Sequence, residues 1–202
     1  MGLQEILIWV MACIGTYFLG SIPIGYIVCK VLKNIDIRKI GSGNIGTTNV
    51  VRLLGLKGAI IVFPLDFLKG FVPALLAYKY GGELMGLVIG LCAILGHDFS
   101  LWLKFKGGKG VSTSAGVLFA LMPWAGLVAV VTWLCGLAVT RIVSLSTCIA
   151  AVGISIYGIF ADLSPAYKIV IYAIAVVVFV LHRKNLQRVA SGTEPKVGKK
   201  EV

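Results

Sequence analysis

The stretch Lys104-Phe105-Lys106-Gly107-Gly108-Lys109-Gly110 places three lysines among three glycines, with long apolar runs on both sides. Gly107, Gly108 and Gly110 clear away side chains that would keep a bulky anion off the backbone, and Lys109 supplies a point charge. The next apolar run starts at Gly110 to Ser112. A helix beginning there would turn its unpaired N–H groups and partial positive charge toward the same segment. The chemistry this inventory suits is phosphate binding. It is not a nucleotide P-loop, because Gly110 rather than Ser or Thr follows the lysine and no strand precedes it. Spacing alone also permits a topogenic turn, and Lys104 and Lys106 read as topology and headgroup charges.

Ile40 to Arg52 (IGSGNIGTTNVVR) repeats the logic at greater length. Gly43 and Gly46 favour turns whose consecutive N–H groups form anion nests. Ser42, Thr47 and Thr48 add hydroxyls, Asn44 and Asn49 add amides, and Arg52 adds a fork suited to phosphate. Two smaller clusters follow: Arg141, Ser144, Ser146 and Thr147, and then His182, Asn185 and Arg188 along consecutive helical turns. His182 and Asn185, three apart, share a face if the helix continues. His97 closes an apolar run. Asp66 and Lys69 lie three apart inside another, where an ion pair is either self-neutralising structure or a pointer to a functional site.

Other chemistries lack their parts. No two carboxylates flank a site, and there is no HExxH, GxSxG or His-x4-Asp pattern, so triad catalysis and metal hydrolysis are poorly supported. No metal or cofactor is expected, and no nucleic-acid partner. The five cysteines (Cys13, Cys29, Cys92, Cys135, Cys148) sit in or beside apolar runs without a CxxC pair and read as small hydrophobes. What remains is a set of donors and cations suited to two anions.

The elements that must carry these residues are membrane helices. Of 202 residues, 58% are hydrophobic and only 13% charged, against about a quarter charged in soluble domains. Runs such as 7–28 and 169–181 have no solvated face at helical period, which marks buried or spanning helices. The first run lacks a basic n-region and is too long for a cleaved leader, so it reads as a permanent span. The sequence predicts an all-α polytopic integral membrane protein with seven transmembrane helices, at about 4–29, 58–78, 84–97, 110–121, 124–140, 143–160 and 166–182. Residues 84–97 and 110–121 fall short of the roughly 20 residues a crossing needs; short helices survive where protein encloses them or they line a wet cavity. The pair 110–121 and 124–140 could instead form one kinked helix, but that would put Arg141 outside and reverse the later sides. With the N-terminus outside and the C-terminus cytoplasmic, sixteen of the nineteen Lys and Arg fall on the cytoplasmic side, as the positive-inside rule requires. One transmembrane domain, 1–192, and a polar basic tail, 193–202, are expected. A transporter would show paired broken helices in an internal repeat, and none is evident.

The motifs SGNIGTTNVVR (42–52), DFLKG (66–70), GH (96–97), FKGGKGVST (105–113) and HRKNLQR followed by GTE (182–194) closely resemble those of the bacterial acyl-phosphate:glycerol-3-phosphate acyltransferases. These are small inner-membrane enzymes of phospholipid synthesis. The resemblance runs in order along nearly the whole chain. It implies transfer of a fatty acyl group from acyl phosphate to the 1-hydroxyl of glycerol 3-phosphate, with a cytoplasm-facing site, giving lysophosphatidate and phosphate. The positions it carries over are Ser42, Gly43, Asn44, Gly46, Thr48, Asn49, Arg52, His97, Gly107, Gly108, Lys109, Gly110, Ser144, Ser146, His182, Arg183, Asn185 and Glu194. Among them Ser42, Asn44, Arg52, Lys109, His182 and Asn185 are the expected catalytic set. The expected phosphate ligands are Ser42, Gly43, Thr48, Asn49, Arg52, Gly107, Gly108, Lys109, Gly110, Ser144, Ser146 and Asn185; Asp66, Lys69, His97 and Arg141 are secondary candidates. Membrane lipid and the two substrates are the expected partners. Ser100 stands where the family has proline, which leaves the local turn in question. The proton from the attacking hydroxyl could go to His182, to His97 or to a substrate phosphate oxygen, whose second pKa is about 6; the scarcity of carboxylates favours the phosphate.

Overall fold

The structure is a computed structural model that describes residues 2–197. Lys199 and Lys200, counted above in the basic tail, lie outside the described residues. All regular structure there is helical: α1 Leu3–Ser21, α2 Ile24–Lys33, α3 Thr47–Leu54, α4 Leu56–Asp98, α5 Val111–Leu121, α6 Pro123–Thr140, α7 Val143–Phe160 and α8 Pro165–Ala190, with short 3-10 turns at Ile37–Lys39 and Leu101–Leu103. Five stretches are long and apolar enough to cross a membrane (3–33, 56–103, 123–140, 143–160 and 165–190), and α5 is a shorter apolar helix. Large apolar side chains such as Ile8, Ile60, Val139 and Phe160 are exposed on these helices. A water-facing surface rarely presents so much apolar area, and lipid is its natural solvent.

Every predicted span is helical, with two corrections. The first is broken after Ser21, because Pro23 lacks an N–H and pushes Ile22 out of the helical region to ψ 116°. The second and third form one 43-residue helix, α4, interrupted only at Gly82, whose φ of 75° turns the chain out of helical geometry. The expected loop 30–57 is also more ordered than a loop. It holds the last turn of α2, the first 3-10 turn and all of α3.

The chain divides after Leu121 into two compact units. In the first, α4 packs against α1 and α5 through small residues. A side chain on Gly20 would strike the Ala93 carbonyl, and one on Gly96 the Tyr17 carbonyl. Against α5, Gly70 faces the Thr113 carbonyl and Gly116 the Phe67 carbonyl. Such positions bring backbones close enough for dispersion to act where no hydrophobic drive exists between helices. In the second unit, Gly136 meets Ser146 and Gly153 meets Thr132 in the α6–α7 packing, and Ile154, Ile171, Ile174 and Val178 are buried.

Candidate functional site

In the first unit, both glycine-rich segments rest on one apolar floor. Cys29, Ile37, Ile45, Val50, Val62 and Leu103 form a buried cluster; Ile37, Ile45 and Val50 belong to the 37–50 region, and Leu103 leads into the lysine–glycine segment. Gly25 has no side chain because the Ile45 carbonyl occupies that space, so the first loop lies directly on α2. Asp36 caps the 3-10 turn through Arg38. The Arg38 guanidinium donates to both carboxylate oxygens, at 2.9 and 2.7 Å, and holds the Asp36 carboxyl down at about 2.

Within this loop, Ser42, Gly43 and Thr48 are exposed, as is Arg52 at the end of α3. Asn49 is only 2% exposed. Its Nδ2 reaches the carbonyls of Asn44 (2.9 Å), Ile40 (3.0 Å) and Ile37 (3.3 Å), while its Oδ1 accepts from the Ser42 N–H at 3.2 Å. Asn44 Oδ1 accepts the Gly46 N–H at 2.8 Å. The two amides therefore shape the loop, with Asn49 as its staple, and the exposed hydroxyls and guanidinium are what the loop presents.

The lysine–glycine segment hangs from the end of α4. The N–H of Gly107 donates to the Asp98 carbonyl (3.1 Å) and that of Gly108 to the His97 carbonyl (2.9 Å), satisfying carbonyls that a helix end leaves without partners. Two N–H groups expected to face an anion are thus spent on the helix. Beside them the segment carries the Lys109 ammonium and leads into the N–H groups that open α5. Gly110, at φ +60°, makes the turn into α5 that an L side chain would resist. Lys104 and Phe105 also adopt positive φ, with Phe105 N–H on Ser100 O at 2.8 Å. Ser100 has φ −59°, the value proline imposes. Its Oγ donates to the Ser21 carbonyl, so the turn expected at this position forms here with a backbone angle that proline would also adopt.

Asp66, Lys69 and His97 meet beneath this segment. Lys69 Nζ lies 2.8 Å from Asp66 Oδ1 and donates to Ile22 O at 3.1 Å. His97 Nδ1 lies 3.6 Å from the same Oδ1. The pair is 1% and 6% exposed. Sequence reading did not select Asp98, which is buried beside Gly110 with neither carboxylate oxygen hydrogen-bonded to a described residue.

The second unit holds a different arrangement. Ser144 Oγ donates to Glu194 Oε1 at 2.7 Å, Asn185 Nδ2 to the same oxygen at 2.6 Å, and Arg188 Nε to Oε2 at 2.7 Å. Gly192, at φ +72°, reverses the chain after α8, and the Glu194 N–H closes onto Arg188 O at 3.1 Å. Glu194 is 8% exposed. Burial pushes its carboxyl up, but the bonds from Asn185, Ser144 and Arg188 outweigh burial and hold it below the ordinary carboxylate range. The start of the expected tail is therefore folded back, and the Val197 N–H reaches Arg141 O at 2.8 Å. Ser146 returns its hydroxyl to Ile142 O at 2.8 Å. Arg141 is exposed in the left-handed cap of α6. His182 is buried, with Nδ1 2.8 Å from Val178 O. A carbonyl can only accept, so Nδ1 carries a proton and Nε2 is the acceptor nitrogen of the neutral ring. Ser144, Asn185 and Arg188 are thus brought onto one knot around Glu194, while His182 is held separately by its own helix at Val178.

The family described as glycerol-3-phosphate acyltransferase matches residues 10–192. A glycerol-3-phosphate acyltransferase of Macrococcus caseolyticus is 42% identical over 181 residues, covering 90% of this chain and 93% of its own. One from Francisella philomiragia is 46% identical over 186 residues, covering 91% and 90%. Two solved structures of PlsY (YgiH), an integral membrane glycerol 3-phosphate acyltransferase, are 38% identical to this chain. The glycerol 3-phosphate form superposes with a TM-score of 0.90 over 94% of this chain and 96% of that one. The lysophosphatidic acid form does so at 0.87, over 94% and 95%.

Proposed function

This chain belongs to the glycerol-3-phosphate acyltransferase family, and we propose that it moves a fatty acyl group from acyl phosphate to the 1-hydroxyl of glycerol 3-phosphate. The observation that carries this reading is the match, across 94% of the chain, to a fold solved once with glycerol 3-phosphate and once with lysophosphatidic acid. Those two molecules differ by a single acyl ester. Acyl phosphate fits as donor because the chain lacks the His-x4-Asp motif of acyltransferases that use thioester donors and offers cationic and hydroxyl groups for phosphate. The host is a bacterial inner membrane. Counting α1 with α2 as one crossing and dividing α4 at Gly82 gives seven, with the N-terminus outside and the C-terminus and the site on the cytoplasmic side, where sixteen cations gather.

In the first unit Lys109, Arg52 and Ser42 hold phosphate, supported by Thr48, Gly43, Gly110 and the N–H groups opening α5. In the second, Asn185 and Ser144 are held by Glu194, and His182 by Val178. The glycerol O1 attacks the acyl carbonyl, and charge on the tetrahedral oxygen is met by fixed hydrogen-bond donors. The carbon–oxygen bond to phosphate then breaks. Inorganic phosphate leaves with the electron pair, and the hydroxyl proton goes to a substrate phosphate oxygen. An activated donor asks mainly for positioning.

Donor identity is tested with purified protein, glycerol 3-phosphate and either palmitoyl phosphate or palmitoyl-CoA. Lysophosphatidate is expected from the first alone. Equal product from the thioester would overturn the proposed donor.

A further inference from the structure

We infer that Asp66, Lys69 and His97 are positioning residues: they set the height of the lysine–glycine segment and so govern glycerol 3-phosphate binding. The inference rests on the reading that this segment holds substrate phosphate. Lys69 Nζ donates to Ile22 O at the break between α1 and α2 and pairs with Asp66 Oδ1. Asp66 Oδ1 faces His97 Nδ1 at 3.6 Å. The other ring nitrogen, Nε2, lies so close to Gly108 that a methyl added there would overlap it. The His97 carbonyl accepts the Gly108 N–H at 2.9 Å, so one residue holds Gly108 by its main chain and stops it with its ring. The path closes on the far side, where Thr113 Oγ1, in the first turn of α5, donates to the Asp66 carbonyl at 3.0 Å. Lys109 and Gly110 therefore lie between two anchors, Gly108 held by His97 and Thr113 bonded to the Asp66 carbonyl, with the His97 ring set against the Asp66 carboxylate.

This placement gives His97 a task other than proton transfer. The ring is buried and enclosed by Asp66 on one edge and Gly108 on the other. An ion pair kept only for stability would gain little, since buried pairs often contribute no more than apolar replacements. A pair that fixes a register contributes through geometry, and a displacement of about 1 Å can cost about a hundredfold.

The test is a two-residue cycle, read as KM for glycerol 3-phosphate and kcat with palmitoyl phosphate. Gly108→Ala should raise KM by about tenfold, because the new methyl must push the loop off the ring. His97→Ala should raise it by about as much while kcat stays within about threefold. The double variant should have a lower KM than Gly108→Ala alone, because removing the ring makes room for the methyl. That rescue also guards against misfolding, since a second destabilising change would not restore binding. Asp66→Asn should shift KM in the same direction as His97→Ala. Multiplying effects in the double variant, or His97→Ala abolishing kcat at unchanged KM, would overturn the assignment. The same cycle read as glycerol 3-phosphate affinity without donor separates the two proposals. Coupling in binding without any turnover would sink the acyl-phosphate reading and leave this one standing; turnover with no coupling would do the reverse.

Discussion

Asn49 in the first unit and Glu194 in the second are both buried polar side chains with several partners. Asn49 is neutral and holds main-chain atoms of one loop, at Ile37, Ile40, Asn44 and Ser42. Glu194 is charged and holds side chains from separate helices, Ser144 on α7 and Asn185 and Arg188 on α8. A neutral staple fixes the course of a backbone and is indifferent to pH. A carboxylate knot fixes where side chains point, and it works only while the carboxylate is ionised. The loop in the first unit leaves Ser42, Thr48 and Arg52 exposed, while the knot in the second buries Ser144 and Asn185. Under the proposed function, recognition falls to the displayed groups of one region and orientation to the enclosed groups of the other.

Breaking the knot should have the largest effect. Glu194→Ala leaves Ser144 and Asn185 buried without their acceptor, and unfolding in detergent should show a loss of about 3 kcal/mol. That figure is already reduced for the Arg188 end, which is 40% exposed. Because Glu194 is held below the ordinary carboxylate range, its contribution is complete above the unfolded value of about 4.3 and fades as pH falls through the lower folded value. Thermal stability should therefore drop more steeply with acid in the parent than in Glu194→Gln.

Removing the staple should come next. Asn49→Ala strips the Ile37, Ile40 and Asn44 carbonyls of their donor, a loss of about 2 kcal/mol with no matching pH dependence. A loss that tracked pH as Glu194 does would erase the contrast. Smaller still is Ser100→Pro. The φ of −59° already suits the ring, so reduced chain entropy and the lost bond to Ser21 should cancel to within about 1 kcal/mol. At the low end, Asp36→Ala removes an exposed pair with Arg38, and the melting temperature at neutral pH should not move measurably.

The helical class was legible because apolar runs without a polar face admit little else, and the two places where Gly, Ser, Arg and Lys cluster were visible as gatherings of donors and cations. Pro23 was visible in the sequence, but a run continuous in hydropathy hid the break it makes. The join of the second and third spans turns on one backbone angle at Gly82, which composition does not encode. Residue type could not say that Asn49 would face its own loop, or that Gly107 and Gly108 would spend their N–H groups on the end of α4, since either group could equally meet a ligand. Glu194 entered the reading only through the GTE motif of the family resemblance, and residue type alone gave it no partner. Its partner Ser144 lies fifty residues away, and only the turn at Gly192 brings it back.

The reading as a whole meets its most direct test in the stoichiometry of turnover by purified protein given palmitoyl phosphate and glycerol 3-phosphate. One inorganic phosphate should be released for each lysophosphatidate formed, with Lys109→Ala slower by about a hundredfold. Phosphate release no faster than in Lys109→Ala, or release without an acylated glycerol phosphate, would contradict it.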